Sequence, residues 1–376
     1  MRILIDYRPA LRERTGAGEY IHNLVRAYTR RAAANGAEVA VFTSSWKDRP
    51  TPGLASELAA SVVDRRVPVR VLNYLWHRVE WPPIETLGMA ADIVHAAHPL
   101  LIPTRHAAQV VTIHDLFFLT APHAVRAEIR RDYPALTRDH AQRADAIVTT
   151  SRYTASLIEH TLGVAPARIH ICAPGPPAWQ TLGRGPHLPR DGYVLFMGTL
   201  EPRKNVGALL DAYAQLLGRR ADAPPLVLAG TSTPAADVWL ARLRQPPFAG
   251  RARHVGYAAD REAVYAGARL LVLPSRDEGF GIPVLEAMSA GIPVVAADRG
   301  ALPEVLGDAG LLVDPDDVDG LAAAMERMLT DEVYAATCAT RGLARARAFA
   351  WDRAATALHG AYHAAIANRR ARTRSG

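Results

Sequence analysis

Residues 270–291 read LLVLPSRDEGFGIPVLEAMSAG and predict a buried strand, a loop and a helix in direct succession. The apolar run that ends at Leu273 has the length of a strand. Pro283 suits the first turn of a helix, and Gly291 is typical of a helix end. A loop that joins a strand to a helix is a common place for ligand binding in nucleotide folds.

This loop combines backbone amides with two acidic side chains. The helix start leaves the amides of Phe280, Gly281 and Ile282 free to bind an anion, which the helix dipole also favours. Glu278 and Glu286 flank these amides and would repel a bare anion. Both carboxylates are explained if each accepts hydrogen bonds from sugar hydroxyls, one on either side of a diphosphate. The implied ligand is a nucleotide diphosphate sugar.

Glu278 and Glu286 are separated by seven residues that include Gly279-Phe280-Gly281. The string PSRDEGFGIPVLEAMSAGIPVV around them resembles the E-x7-E signature of family 4 retaining glycosyltransferases. The resemblance implies an α/β fold with two facing Rossmann-like domains (GT-B) and a cleft between them. It also implies that Glu278 contacts the transferred sugar and Glu286 the ribose.

Composition sets limits on the class of protein. The 376 residues favour two domains, and 49% hydrophobic with 22% charged residues is typical of a globular protein. We find no apolar run long enough to cross a bilayer and no signal peptide. Cys172 and Cys338 lie far apart and fit a reducing cytoplasm. The net charge of +7 favours acidic partners such as nucleotide phosphates or anionic lipid.

The pattern of strands and helices occurs twice. The first series, from RILID to Ala146–Thr150, predicts a parallel sheet covered on both faces. A proline- and glycine-rich segment follows, and a second series then begins at Tyr193. With the resemblance, we expect these segments: an N-terminal acceptor-binding domain at 1–178, a linker at 179–190, a C-terminal nucleotide-sugar-binding domain at 191–350, a helix crossing back to the first domain at 351–368 and a basic tail at 369–376.

Candidate site residues of the first domain lie at predicted strand ends. Gly16, Ala17 and Gly18 occupy a strand-to-helix junction, where either phosphate binding or simple helix capping is expected. His114 follows the strand VVTI, and His98 is a weaker, acceptor-side candidate. The resemblance implies that the glycine loop lies near the donor diphosphate and the acceptor. It also implies that His114 faces the donor sugar.

Candidate site residues of the second domain begin with Arg203 and Lys204, just before a helix. Two cations at a helix start are unfavourable unless something compensates them, and a bound diphosphate would do so; solvated surface charge is the alternative. The resemblance implies that this pair neutralises the departing diphosphate, and the spelling EPRKN is frequent among mannosyltransferases. Gly198, Gly256 and Tyr257 are strand-end candidates for nucleotide contacts, although structural turns would explain the glycines equally well.

These features together predict a retaining glycosyltransferase that needs no cofactor. The first expectation for the donor is GDP-mannose, and the acceptor is a glycan, a lipid-linked molecule or a small molecule. The sequence offers no convincing metal-ligand cluster and no clear enzyme nucleophile. The resemblance implies catalysis without a metal and by front-side displacement. We expect a cytoplasmic protein, with the basic segment 126–143 and the tail as candidates for contact with the inner face of an anionic membrane.

Two alternatives remain open from the sequence. The first is a nucleotide-sugar epimerase or hydrolase of the same fold, which would consume the donor without an acceptor. The second is a non-catalytic nucleotide- or nucleic-acid-binding protein, suggested by the basic charge. We expect no nucleic-acid partner, because the cations are scattered and no aromatic residues interleave with them.

Overall fold

Buried apolar runs form two parallel sheets, each in its own unit. The computed structural model describes residues 1–11, 16–87, 90–120 and 127–375. Unit 1 comprises Met1–Pro174 and Ala350–Gly376, and unit 2 comprises Gly175–Phe349. Each unit alternates strands with helices, so the α/β fold class predicted from the sequence is confirmed.

The strands of unit 1 are all parallel where they pair. Their bounds are β1 Arg2–Asp6, β2 Glu38–Ser44, β3 Ser61–Arg65, β4 Ile93–Ala96, β5 Ala108–Thr112, β6 Ala146–Thr149 and β7 Ile169–Ile171. They lie in the order β3-β2-β1-β4-β5-β6-β7. The sequence pattern did not predict the two edge strands β3 and β7.

Helices connect these strands. They are α1 Gly16–Ala34, α2 Leu54–Leu58, α3 Val69–Tyr74, α4 Phe117–Thr120, α5 Ala127–Arg143 and α6 Arg152–Leu162. A π-helical turn, Leu75–Val79, directly continues α3. Helix α5 continues through Pro134, which lies inside the basic segment.

The strands of unit 2 are also parallel where they pair. Their bounds are β8 Tyr193–Met197, β9 Leu226–Ala229, β10 Ala252–Gly256, β11 Ala268–Leu273, β12 Val294–Ala297 and β13 Leu311–Val313. Their order is β10-β9-β8-β11-β12-β13. The helices of unit 2 are α7 Val206–Arg219, α8 Asp237–Arg242, α9 Arg261–Ala266, α10 Ile282–Ala290, α11 Leu302–Leu306, α12 Val318–Thr330 and α13 Glu332–Ala346.

The last helix, α14, runs from Trp351 to Ser375 and belongs to unit 1. It therefore extends through residues that the sequence assigned to a basic tail. Leu358 and Tyr362 are fully buried in the same core as Ile3 and Ile5. Leu4, which points to the other face of β1, lies in the second core of unit 1.

The residues predicted as a linker lie in unit 2 and pack against its helices. Trp179 donates a 2.8 Å hydrogen bond from Nε1 to Ser289 Oγ, and its ring lies 5.5 Å from that of Tyr265. The Glu262 carboxylate of α9 accepts hydrogen bonds from the backbone amides of residues 180, 181 and 182. This segment is thus tied to α9 and α10 by specific polar contacts.

The strand order fixes where ligand-binding loops can meet. In unit 2, β9 and β10 lie on one side of β8, and β11, β12 and β13 lie on its other side. The strand order therefore reverses between β8 and β11. In unit 1 it reverses between β1 and β4. In open parallel sheets, ligands bind outside the carboxyl ends of the strands at such a reversal. Among the residues described, no helix is both long and apolar enough to span a membrane.

Candidate functional site

Two loops meet at the order reversal of unit 2, and each brings charged side chains. Arg203 and Lys204 lie in a 3₁₀ turn after β8, and Glu278 lies in the loop after β11. Lys204 Nζ is 2.5 Å from one Glu278 carboxylate oxygen, and Arg203 Nη1 is 3.6 Å from the other. The structure therefore brings together three of the four residues predicted as catalytic, although their roles stay predictions.

The Lys204–Glu278 pair is almost completely withdrawn from solvent, with 7% and 5% of the two residues exposed. Burial raises the pKa of Glu278, but Lys204 and Arg203 outweigh it, so the pKa lies below its ordinary value. Burial lowers the pKa of Lys204, and Glu278 offsets part of that shift. Because each charge stabilises the other, we assign both groups their charged forms at neutral pH.

The two adjacent cations are compensated within the protein. Arg203 Nε lies 2.5 Å from a Glu201 carboxylate oxygen, and Nη1 donates to the Asp277 carbonyl at 3.3 Å. Glu278 supplies the counter-charge to Lys204. Carboxylates of the loops therefore already compensate this pair, and its predicted contact with a diphosphate stays a prediction.

The start of α10 is built around Gly281, and phosphate binding there stays a prediction. Gly281 has a φ of 93°, and a Cβ atom there would lie 2.5 Å from Leu302 Cδ2, so only glycine fits without rearrangement. Val284 and Leu285 donate to the Gly281 carbonyl at 3.0 and 3.4 Å. The preceding amides of Gly281 and Ile282 have no acceptor inside the helix.

Phe280 contributes to this loop in a different way. Its ring is buried and packs edge-on against Phe349, with 5.5 Å between the centroids. The side chain is therefore part of the core of unit 2. Only its backbone amide remains a candidate for the phosphate contact that the sequence predicts.

Glu286 is buried in α10 and already held by two side chains. The Tyr265 hydroxyl donates to Glu286 Oε2 at 2.7 Å, and Arg261 Nη1 lies 2.9 Å from Oε1. Sequence reasoning did not single out Arg261 or Tyr265. A contact between Glu286 and a ribose stays a prediction, and it requires the carboxylate to exchange or share these partners.

Three glycines line the carboxyl ends of β8, β9 and β10. A Cβ atom on Gly230 would lie 2.1 Å from the Gly198 carbonyl oxygen, and the Gly230 amide donates to the Gly256 carbonyl at 2.7 Å. The backbones of these strand ends therefore lie in direct contact. Gly198 and Gly256 both have positive φ, and Tyr257 next to them is partly exposed. Nucleotide contacts at these residues stay predictions.

In unit 1, His114 follows β5 and lies edge-on to the Tyr20 ring at 5.3 Å. Burial lowers the pKa of His114 to about 4, so the imidazole is neutral at physiological pH. Its Nε2 atom is buried and has no hydrogen-bond partner within the described parts of the chain. An unpaired buried nitrogen costs free energy, which favours the predicted role in ligand contact over a structural one.

The three residues of the predicted glycine loop, Gly16 to Gly18, differ in their burial. Gly16 and Ala17 are exposed in the first turn of α1, while Thr15 before them lies outside the described residues. Gly18 is buried, and a Cβ atom there would lie 2.7 Å from the Pro9 carbonyl oxygen. Close packing of α1 therefore explains Gly18 structurally. The predicted phosphate contacts of all three residues remain predictions.

A charged cluster at the order reversal of unit 1 was missed from the sequence. Arg8 binds the buried Asp6 carboxylate through Nε and Nη2, both at 2.8 Å, and donates to Asn73 Oδ1 at 2.9 Å. His98 Nε2 lies 3.3 Å from Asp6 Oδ2. Burial raises the pKa of Asp6, but Arg8 and His98 outweigh it and hold the pKa well below its usual range. The sequence signal that could have revealed this cluster is Asp6, the carboxylate at the end of the apolar run RILID.

His95, in contrast, has a structural role. Its Nδ1 atom lies 2.8 Å from the Tyr362 hydroxyl, and its Nε2 atom lies 2.7 Å from Thr112 Oγ1. Both ring nitrogens are thus engaged in the core that joins the sheet to α14. Trp351 also packs there, with its ring 5.9 Å from that of Tyr20.

One group of side chains in the described residues has metal-ligand character. Glu80, Asp139 and His140 place ligand atoms within 4.8 Å of one another. Arg143 lies between the two carboxylates, 2.6 Å from Glu80 and 2.8 Å from Asp139, and the Leu101 amide donates to His140 Nδ1. Because a guanidinium already neutralises this group, the donor set fits a metal poorly.

Comparisons with known proteins show the family of this chain. The family model "Glycosyltransferase Family 4" matches residues 14–176, and "Glycosyl transferases group 1" matches residues 191–331. O-antigen chain mannosyltransferase B of Escherichia coli is 34% identical over 283 residues, which cover 72% of this chain and 74% of that protein. The chain therefore belongs to the family 4 glycosyltransferases.

Solved structures show the same fold. Sucrose-phosphate synthase from Thermosynechococcus elongatus matches with a TM-score of 0.73 at 21% identity, covering 96% of this chain and 98% of that one. HepE of Anabaena in complex with UDP and glucose matches with a TM-score of 0.71 at 19% identity, covering 96% and 98%. The fold is of the GT-B class, and the protein is a glycosyltransferase.

Proposed function

We propose that this protein is a retaining mannosyltransferase that transfers mannose from GDP-mannose to a lipid-linked glycan. The observation that carries the proposal is the meeting of Arg203, Lys204 and Glu278 beside the loop that leads into α10. The relative that is 34% identical is named an O-antigen chain mannosyltransferase, and the EPRKN spelling agrees with it.

The chemical demand of the reaction fits these groups. Breaking the anomeric C–O bond creates an oxocarbenium-like carbon and a diphosphate leaving group, so negative charge develops on the diphosphate. Arg203, Lys204 and the amide end of α10 supply positive charge and hydrogen-bond donors to it. In this proposal the protein groups do the work of a metal ion, and transfer proceeds without one.

The two carboxylates hold the parts of the donor on either side. Glu278 remains ionised because Lys204 and Arg203 lower its pKa, so it can accept hydrogen bonds from hydroxyls of the sugar. Glu286 accepts from the ribose, with Arg261 moving aside; 24% of the Arg261 side chain is exposed, which gives it room to do so.

Transfer follows a front-side path. The acceptor hydroxyl attacks the anomeric carbon on the face that the phosphate leaves, and its proton passes to the departing phosphate oxygen. One C–O bond forms as another breaks, so configuration is retained without a covalent enzyme intermediate. In this proposal the neutral, half-buried His114 contacts the donor sugar as a hydrogen-bond partner rather than as a cation.

The acceptor in this proposal is presented at the inner face of the membrane, and the protein works in the cytoplasm as a peripheral enzyme. A transfer assay with purified protein and a synthetic lipid-linked mannoside tests these statements. We expect product from GDP-mannose but not from UDP-glucose, undiminished rate with EDTA, and an α-anomeric signal in the NMR spectrum of the product.

Three results would contradict separate parts of the proposal. Product from a UDP-sugar alone would refute the donor, loss of activity in EDTA would refute metal independence, and a β-linked product would refute retention. Consumption of GDP-mannose at the same rate without acceptor would favour the hydrolase alternative.

A further inference from the structure

Unit 1 exposes a group of large apolar side chains within a short part of the chain. We name the group the Trp46–Trp81 surface; its members are Trp46, Val69, Val71, Tyr74, Val79 and Trp81. The aromatic members are 71%, 63% and 59% exposed in chain order. Exposed apolar groups of this size mark interaction sites when they are clustered.

The fold anchors this surface from its inner side. Leu72 and Trp76 are buried in a core of unit 1, and Trp76 Nε1 donates to the Pro82 carbonyl at 3.0 Å. The Arg8 guanidinium lies 5.0 Å from the centre of the Trp76 ring. The inner face of α3 and its π-helical turn therefore secures the segment, and the outward side chains are not needed for the core.

The parts of the surface arise at one edge of the sheet. Trp46 follows β2, and α3 follows β3, which pairs with β2 in parallel. Ser44 Oγ donates to the Val67 carbonyl at 2.9 Å. This hydrogen bond joins the end of β2 to the segment that follows β3. The surface thus begins at the carboxyl edge of the sheet, the edge that also carries His114 and the charged group of Asp6, Arg8 and His98.

Cations surround these apolar groups. Lys47, Arg66 and Arg70 are exposed, and the sequence has no Asp or Glu between Arg65 and Val79. Asp48, beside Lys47, is the acidic residue nearest to Trp46 along the chain, and it accepts a hydrogen bond from Ser45 Oγ at 3.2 Å. The acidic residues that flank the stretch from Arg65 to Val79 are neutralised by partners. Asp64 pairs with Arg49 at 2.6 Å, and Glu80 pairs with Arg143 at the same distance.

We propose that the Trp46–Trp81 surface docks unit 1 onto an anionic lipid membrane. Aromatic side chains favour the headgroup region, and a short helix with an outward apolar and basic face lies in the interface plane. Exposed lysine and arginine add attraction to anionic headgroups. The charge of the surface matches a lipid surface of opposite sign.

This inference deepens the proposed function and rests on its lipid-linked acceptor. It moves the membrane contact from residues 126–143 and the basic end of α14 to residues 46–81. Docking here places the carboxyl edge of the unit 1 sheet close to the bilayer, where a lipid-linked acceptor is presented.

Vesicle co-sedimentation of the full-length protein tests the proposal. The probes are vesicles of phosphatidylcholine alone and vesicles of equal parts phosphatidylcholine and phosphatidylglycerol. We expect binding to the anionic vesicles that weakens with added salt. Replacing Trp46, Tyr74 and Trp81 together by serine should lower the partition coefficient about tenfold or more. Arg66→Gln with Arg70→Gln should lower it about 25-fold, since each charge near the membrane contributes about fivefold.

The matched control is Val238→Ser with Val333→Ser, which removes two exposed valines from unit 2 and should leave vesicle binding unchanged. Circular dichroism and a urea unfolding curve confirm that each variant is folded. Unchanged vesicle binding by the folded triple serine variant would overturn the proposal. So would loss of a protein–protein association, seen by ultracentrifugation, in place of a loss of lipid binding.

A second assay separates this inference from the proposed function. The triple serine variant should keep transfer to a water-soluble acceptor analogue within about twofold of the parent and lose transfer to a lipid-linked acceptor in vesicles. If the parent binds vesicles but transfers no mannose, the proposed function fails while the docking surface stands. If transfer to both acceptors falls equally, the surface acts on the reaction itself and the docking proposal is wrong.

Discussion

Replacement of Lys204 by methionine gives the sharpest test of the charged group in unit 2. It leaves Glu278 buried, with its nearest cation the Arg203 guanidinium at 3.6 Å. Removing one partner of a buried pair costs about 3–5 kcal/mol, so the free energy of unfolding should fall by that order. If Lys204 also stabilises the departing diphosphate, kcat/KM should fall about 100- to 1000-fold.

A second change separates the two effects. The double variant Lys204→Met, Glu278→Leu removes both charges and leaves no unpaired ion, so we expect its free energy of unfolding to return to within about 1 kcal/mol of the parent. Its kcat/KM should stay as low as that of the single variant, because the groups that contact the donor are gone. Urea unfolding and initial-rate measurements on the same preparations report the two quantities.

An exposed ion pair serves as the control. Arg242 and Asp211 lie 2.6 Å apart with both side chains partly in solvent, and Arg242→Met should change stability by at most about 1 kcal/mol and activity not at all. Recovery of activity in the double variant to within a few fold of the parent would show that Lys204 and Glu278 form only a structural pair. That result would refute the catalytic reasoning.

Three further predictions concern other parts of the two units. Gly281→Ala should weaken GDP binding about tenfold or more in calorimetry, if the start of α10 rather than the Leu302 side chain shifts to relieve the contact of the new Cβ atom with Leu302 Cδ2. Gly53→Ala, at a similar φ but in open space, should leave GDP binding unchanged. Tyr265→Phe removes the 2.7 Å hydrogen bond to Glu286 Oε2. It should alter the KM for the donor with little effect on kcat, since it changes a binding carboxylate, and a change in kcat alone would contradict this. Burial lowers the pKa of His95 to about 3, below its unfolded value. Its neutral form should therefore contribute stability that is present above pH 6.5 and lost as pH falls toward 3. His95→Gln should flatten this part of the curve of stability against pH, and an NMR titration of the His95 ring near pH 6.5 would contradict the prediction.

The loop and helix at residues 270–291 could be predicted because their signals are local. A buried apolar run, Pro283 and Gly291 define the strand and the helix bounds without reference to the rest of the chain. The positive φ of Gly291 fits the helix end predicted there, whereas the positive φ of Gly281 was not predicted. The choice of fold family depended on this stretch, and the comparisons confirm it.

The partners of the charged residues could not be predicted, because they depend on strand order. Lys204 and Glu278 are 74 residues apart and meet only because β8 and β11 are neighbours. The contact between Arg8 and Asn73 depends in the same way on how α3 packs beside β1. The sequence therefore identified Arg203, Lys204 and Glu278 as site residues. It did not show that Glu278 is the partner of Lys204, and a bound diphosphate was suggested in that role.

The missed elements have a related cause. The edge strand Ser61–Arg65 is only half-buried, and Ile169–Ile171 is three residues long, so neither has a clear apolar signal. The end of α14 was read as a tail because of its arginines. In the structure Arg372 forms an ion pair with the buried Asp145, and Asn368 donates to the Asp145 carbonyl, which secures the last turns.

The position of a bound diphosphate tests the central claim most directly. Crystals of the protein soaked with GDP should show the diphosphate within hydrogen-bonding distance of the Gly281 and Ile282 amides and of the Lys204 ammonium group, with the ribose beside Glu286. Density for the diphosphate at any other place, with this helix end in contact only with solvent, would contradict the account.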